Sequence, residues 1–173
     1  VPIDSMVLRT HPGQPIVRCM PNTPALLGAG ITALFANRAV SEAQRQLAEQ
    51  ILAAGGRTLW VDDESKLDAV TAVSGSGPAY FFYLMEAMID TGIAQGLDPE
   101  TATVLTLETA YGAALMARER TEPPAVLRAN VTSPGGTTAA ALSILDESGA
   151  RGIIKQALDG ARARSKELAK EFG

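Results

Sequence analysis

The chain has 173 residues, the length of one domain or at most two small ones. Hydrophobic residues make up 46% and charged residues 20%, which supplies a sizeable core and excludes a disordered chain. A net charge of −4, one cysteine and one histidine exclude an electrostatic pull toward nucleic acid or an anionic membrane, an intrachain disulfide framework and a Cys/His metal cluster. Alanine is abundant (29 residues) and aromatics are 5%, so helices are expected to pack closely through small side chains. No apolar run approaches the roughly 18 residues of a membrane span. No basic segment followed by an apolar one opens the chain as a signal peptide would. A single cysteine fits a reducing, cytoplasmic setting.

The first 62 residues read as the end of an α/β domain. Pro15–Met20 and Ile31–Phe35 are predicted strands. Ser41, with Gln44 three residues on, is a capping signal for a helix over 43–53, whose apolar stripe is Leu47, Ile51 and Leu52. Gly55 and Gly56 stop it. Arg57–Asp62 is a third predicted strand. Two or three strands and one helix cannot cover both faces of a parallel sheet, so the rest of that domain is expected upstream.

From residue 63 to 173 the pattern is helix after helix. Asp63 or Ser65 caps a helix over 66–73, and Ser74–Pro78 interrupts it. The stretch 79–95 is apolar on nearly every side. A helix of that kind is enclosed all round, either by its own chain or by a second copy. The second copy is the expected partner, which makes the protein a homo-oligomer. Asp98 caps the next helix, with Pro99 in its first turn and Thr101–Arg118 as its body. Thr121–Pro124 is a break, 125–129 a short turn or helix, 131–136 a loop, 137–147 a helix and 150–172 the last helix. The basic residues Arg162, Arg164, Lys166 and Lys170 read as its solvated face. The fold class is therefore mainly α: an all-helical domain preceded by the last strands and helix of an α/β domain.

Three glycine-rich segments invite a ligand. Gly28-Ala-Gly30-Ile-Thr-Ala33 matches G-x-G-x-x-A, with Glu49 some twenty residues on. It leads into a predicted strand rather than a helix, so it is read as a turn between strands and not a pyrophosphate site. Ser133-Pro-Gly-Gly-Thr-Thr138 stands ahead of a helix. Its residues suit either an ordinary helix cap or a cradle of backbone N–H groups for a small carboxylate. Ser74-Gly-Ser-Gly-Pro78 is read as close helix packing.

Met20-Pro-Asn-Thr-Pro24, Val73-Ser-Gly-Ser-Gly-Pro-Ala-Tyr80 and Asn130-Val-Thr-Ser-Pro-Gly-Gly-Thr-Thr138 occur here in the order of the pyrroline-5-carboxylate reductase family. The chain resembles that family over essentially its whole length, without the family's first strand, glycine-rich fingerprint and most of its Rossmann sheet, which implies that residues 1–62 are the end of a Rossmann domain. The resemblance implies hydride delivery from NADPH or NADH to the C=N carbon of 1-pyrroline-5-carboxylate, giving L-proline. It implies that Ser133, Gly135, Gly136, Thr137 and Thr138 hold the substrate carboxylate. Thr138 would also face the ring nitrogen as the catalytic hydroxyl. Asn22 and Thr23 would lie near the nicotinamide, and Ser76 would border the pocket. The family's acidic residue near the substrate amine falls on Glu119 or Glu122. No metal is implied, and the 173 residues alone are expected to be inactive.

His11 is read as part of a surface turn with Pro12 and Gly13, and Cys19 as buried packing. Two other classes remain at this stage: a helical dimerisation module without chemistry, and a β-hydroxyacid dehydrogenase-type helical domain. The latter uses a helix lysine as acid/base. None of Lys66, Lys155, Lys166 and Lys170 lies inside a predicted buried helix, which argues against it.

Overall fold

The structure is a computed structural model that describes residues 1–11 and 13–172. In chain order the elements are α1 (Ile3–Val7), β1 (Val17–Met20), β2 (Gly30–Ala36), α2 (Glu42–Leu52), β3 (Gly56–Trp60), α3 (Lys66–Val70), α4 (Gly77–Ala94), α5 (Pro99–Glu119), α6 (Pro124–Asn130), α7 (Thr137–Glu147) and α8 (Ala150–Glu171). Val1–Tyr80 with Lys155–Gly173 forms one compact unit, and Phe81–Ile154 a second.

In the first unit the sheet order is β1-β2-β3, with β1 antiparallel and β3 parallel to β2. The central strand is the most buried element. Thr32, Ala33, Leu34 and Ala36 on it are all buried, and Leu34 completely so. The predicted cap of α2 is present as a reciprocal pair. Gln44 N–H donates to Ser41 Oγ at 3.3 Å, and Ser41 N–H donates to Gln44 Oε1 at 2.9 Å. Facing β3, Glu49 accepts from the Thr58 hydroxyl at 3.2 Å and from the Trp60 indole N–H at 3.5 Å. The Arg45 guanidinium lies 4.7 Å from the Trp60 ring centroid.

The glycine motif at 28–33 is a turn running into a strand. Gly28 ends a tight 3-10 turn (Thr23–Leu27) with φ +68°, and Gly30 begins β2. A Cβ on Gly30 would meet the backbone of Ala25 at 2.6 Å, so this glycine serves close packing. Glu49 sits within α2 and is spent on β3, not at the end of a strand where a ribose would need it.

Two features differ from the expected elements. No helix was expected before residue 15, yet α1 is present. A single carboxylate ties it down: Glu64 Oε1 accepts from Ile3 N–H at 2.8 Å and from Arg18 Nη1 at 2.8 Å. Five residues are too few to display helical periodicity, so tertiary contacts decide this element. The expected interruption at 74–78 is instead a wide π-type turn, Thr71–Gly75, that carries α3 on toward α4. Such a turn shifts the backbone bonding register. Here three hydroxyls bind carbonyls around it: Thr71 Oγ1 to Leu67 O at 2.8 Å, Ser74 Oγ to Val70 O at 3.0 Å and Tyr80 Oη to Ala72 O at 3.1 Å. At the start of α3 it is Asp63, not Ser65, that supplies the side-chain acceptor, taking Ser65 N–H at 2.8 Å. The last helix returns to this unit, where the Ser165 hydroxyl donates to Asp68 Oδ1 at 2.7 Å.

The second unit is helical. Asp98 Oδ1 accepts from Thr101 N–H at 3.0 Å with Pro99 in the first turn, as the sequence predicts. The Thr101 hydroxyl, together with this N–H, holds the Asp98 carboxyl below the usual carboxylate range. Small residues meet where α4 turns into α5: a Cβ on Gly92 would lie 3.3 Å from that of Ala102. Ala102 and Thr106 are buried there. Elsewhere large apolar side chains are uncovered within the single chain: Phe81 is 65% exposed, Tyr83 76% and Tyr111 65%. The segment left open as turn or helix at 125–129 is α6, with Pro124 in its first turn.

Candidate functional site

The segment between α6 and α7 is built by its proline and glycines. Val131 leaves α6 with φ −102° and ψ 12°, and the Thr132 hydroxyl donates to Arg128 O at 2.6 Å. Ser133-Pro134-Gly135-Gly136 then forms a turn in which Gly136 N–H donates to Ser133 O at 3.0 Å. Gly135 has φ +69°, which with Pro134 before it is the residue pattern of a type II turn. A Cβ on Gly136 would lie 3.1 Å from Ser133 O. Gly136 occupies the N-cap position of α7, where no side chain caps the helix.

Neither Ser133 nor a threonine is spent as a cap. The first internal helix bond is Ala140 N–H to Gly136 O at 3.1 Å, so the N–H groups of Thr137, Thr138 and Ala139 precede the internal ladder. No acidic residue stands in the first turn of α7 to occupy them. Ser133, Thr137 and Thr138 are exposed. Among the described residues their hydroxyls have no hydrogen-bond partner, whereas Thr132 beside them does. Three backbone donors, a helix dipole of positive sign and three hydroxyls are groups with the chemistry to bind a small anion.

The other candidate residues belong to the first unit. Asn22 precedes the tight turn at Thr23–Leu27, and its Oδ1 accepts from Ile31 N–H at 3.0 Å. Its carbonyl accepts from Ala25 N–H at 3.1 Å. Asn22 thus fixes its own loop against the start of β2, while Thr23 is exposed. Met20 and Gly75 join two of the sequence motifs, since a Cβ on Gly75 would overlap the Met20 methyl. Packing is therefore what Gly75 serves. Ser76 follows the π-type turn and lines a cleft of about 410 Å³ with Arg18, Thr71 and Arg164. Arg164 is also paired with Glu167 at 3.0 Å and Glu171 at 2.7 Å.

Glu119 ends α5, paired with Arg118 at 3.0 Å, and Glu122 stands in the link before α6. All four lysines are exposed. His11 is exposed and accepts from Gln14 N–H at 3.0 Å across a turn in which Gly13 has φ +80°. Pro12, included in that predicted turn, lies outside the described residues. Cys19 corrects an expectation: it is exposed, not buried. It shares a sheet face with Leu34, its partner in the register, but sits on an edge strand, while the side-chain anchors of α2 are on β3. Sequence reading missed Glu64 and Tyr80 as organisers. Tyr80 lay within a quoted motif, but Glu64 carried no signal beyond its charge.

Among the described residues, no group of three or more His, Cys, Asp or Glu is placed to hold a metal ion, and no helix is long and apolar enough to cross a membrane.

Residues 64–168 match the family model described as pyrroline-5-carboxylate reductase dimerisation. A pyrroline-5-carboxylate reductase of Pseudomonas aeruginosa is 56% identical over 160 residues, covering 92% of this chain and 59% of its own length. Among solved structures, a pyrroline-5-carboxylate reductase from Coxiella burnetii superposes with a TM-score of 0.93 at 43% identity, covering 96% of this chain and 62% of that one. A Plasmodium falciparum pyrroline carboxylate reductase solved with NADP bound has a TM-score of 0.88 at 31% identity, covering 96% and 63%. The chain thus spans about three fifths of the length of the relatives it matches.

Proposed function

The chain belongs to the pyrroline-5-carboxylate reductase dimerisation family, and we propose that it is the substrate-binding and dimerising part of an enzyme that reduces 1-pyrroline-5-carboxylate to L-proline. The observation that carries this reading is the uncapped start of α7, where a turn built from Pro134 and Gly135 leaves backbone donors and hydroxyls unspent. In functional terms we divide the chain at residue 62. Residues 1–62 are the end of the dinucleotide-binding domain, and 63–173 the helical dimerisation and substrate-binding domain.

The substrate carboxylate rests on the N–H groups at the start of α7, with Ser133, Gly135, Gly136 and Thr137 around it. No dedicated arginine is needed. The Thr138 hydroxyl hydrogen-bonds the ring nitrogen, orienting the C=N bond as electron density moves onto the nitrogen. A nicotinamide cofactor, NADPH or NADH, supplies the hydride when bound. Asn22 and Thr23 are assigned to its nicotinamide end, and the rigid seating of Asn22 on β2 suits that task. The pyrophosphate has no matching loop here, because the one G-x-G-x-x-A segment runs into β2. The 173 residues alone are accordingly expected to be inactive.

The exposed apolar faces of α4 and α5 support a homodimer. The chain exposes 12040 Å². A compact chain of this size exposes about 8,100 Å², and two separate compact bodies of the sizes of its units about 9,700 Å². Burial of part of that excess against a second copy is in the range of obligate dimers, the rest falling to the remainder of the dinucleotide-binding domain.

The test is NAD(P)H oxidation dependent on pyrroline-5-carboxylate, measured on this chain extended to the relatives' full length, with light scattering on the same sample. Turnover by a dimer or higher oligomer is expected. A monomer, or a folded oligomer without substrate-dependent oxidation, overturns the reading.

A further inference from the structure

A cavity of about 590 Å³ opens at the carboxyl ends of the two parallel strands. Phe35 reaches it from the end of β2 and Trp60 from the end of β3, joined by Arg38, Arg45 and Asp62. The motif residues lie at the other end of β2. Because β1 is antiparallel, Met20 pairs with Ala33, and Asn22 binds Ile31 at the start of that strand. A seven-residue strand is roughly 20 Å long, so the cavity is separate from the loop assigned to the nicotinamide.

Its two arginines are not tied up in ion pairs. Lys66 holds the Asp62 carboxylate at 2.5 Å. Glu49 on α2 accepts from Thr58 and Trp60 rather than pairing with an arginine. Among the described residues neither Arg38 nor Arg45 has a carboxylate partner. Arg45 is half-buried with its guanidinium against the Trp60 ring, 4.7 Å from the centroid. A guanidinium held against an aromatic face loses little further freedom when the N–H groups along its edge grip an oxyanion.

We propose that this cavity binds a small doubly charged organic anion, a phosphate monoester or a dicarboxylate, through Arg45 and Arg38 beside the Trp60 ring. The site does not rest on the reductase reading and takes a ligand other than the substrate assigned to α7.

Trp60 is the one tryptophan of the chain, so its fluorescence reports directly on the cavity. The experiment titrates inorganic phosphate and, separately, succinate into the chain, against sodium chloride at matched ionic strength. A saturable fluorescence change with at least one probe is expected, with a Kd below about 10 mM. The stronger probe tells phosphate from dicarboxylate chemistry. Arg45→Gln and Arg38→Gln should each weaken binding at least tenfold with unchanged circular dichroism. Arg45→Lys, which keeps the charge but loses the planar fork, should weaken it less. No saturable response to either probe, an equal response to chloride, or undiminished binding in the Arg38→Gln/Arg45→Gln double variant overturns the proposal.

Discussion

Two segments of this chain are rich in serine and glycine, and they do opposite things with them. In Val73–Tyr80 two of the three hydroxyls are spent internally. Ser74 and Tyr80 bond carbonyls around the π-type turn, and Gly75 admits Met20. In Ser133–Thr138 the glycines hold a turn open, and the hydroxyls of Ser133, Thr137 and Thr138 are left unpaired among the described residues. Composition does not distinguish a packing device from a binding device. Whether the donors are already satisfied does.

That contrast is broken most severely at a packing glycine. Gly30→Ala would drive a Cβ into the backbone of Ala25, which has no rotamer to yield. A loss of about 3 kcal/mol in denaturant stability is expected. A midpoint unchanged from the parent would mean the turn at 23–27 shifts freely and Gly30 is not a packing residue.

In the loop, the effect should fall on catalysis instead. Thr138→Val keeps shape but removes the hydroxyl. In the full-length enzyme it should lower kcat/KM by roughly 10- to 100-fold, about 1.5–3 kcal/mol, while Tm hardly moves. Ser133→Ala should mainly raise KM. Unchanged constants in Thr138→Val would remove it from the chemistry and leave the loop as a carboxylate cradle.

The matching change in the internally satisfied segment is Tyr80→Phe. It orphans the Ala72 carbonyl and should cost about 1 kcal/mol of stability, with kcat/KM within about twofold. An activity loss as large as that of Thr138→Val, at unchanged stability, would erase the distinction between the two segments.

The smallest effect concerns pH. The Thr101 hydrogen bonds hold the Asp98 carboxyl below its ordinary value. A lowered carboxyl stabilises the fold above the unfolded value of about 3.9, and that contribution disappears as pH falls through the lowered one. Asp98→Asn keeps a capping oxygen without the charge. The variant should match the parent near pH 2 and fall slightly below it near pH 6, measured by thermal melts. Parallel melting curves at both pH values would show that the charge contributes nothing.

Much of this was legible in residue order. The Ser41/Gln44 pair and Asp98-Pro99 are local signals, and local geometry honours them. In the loop, Pro134-Gly135 marks a turn, but only the structure shows that no side chain caps α7. What was not legible depends on distant partners. α1 exists because Glu64 reaches it from 61 residues away, and Cys19 is exposed because its edge strand lies away from the anchors of α2. The π-type turn depends on Tyr80 finding Ala72, a bond that no spacing rule announces.

The bond between Ser165 and Asp68 spans 97 residues. By contrast, β1, β2 and β3 pair with their immediate neighbours in the chain. Closing a flexible loop of that length costs about 4 kcal/mol of chain entropy, roughly 1–2 kcal/mol more than either connection within the sheet. The strands and α2 are accordingly expected to assemble first, with the last helix docking onto them. The same order runs backwards under stress. In native-state hydrogen exchange, the amides of the carboxyl-terminal half of α8 should open well before those of β2, making this helix the first part of its unit to come loose.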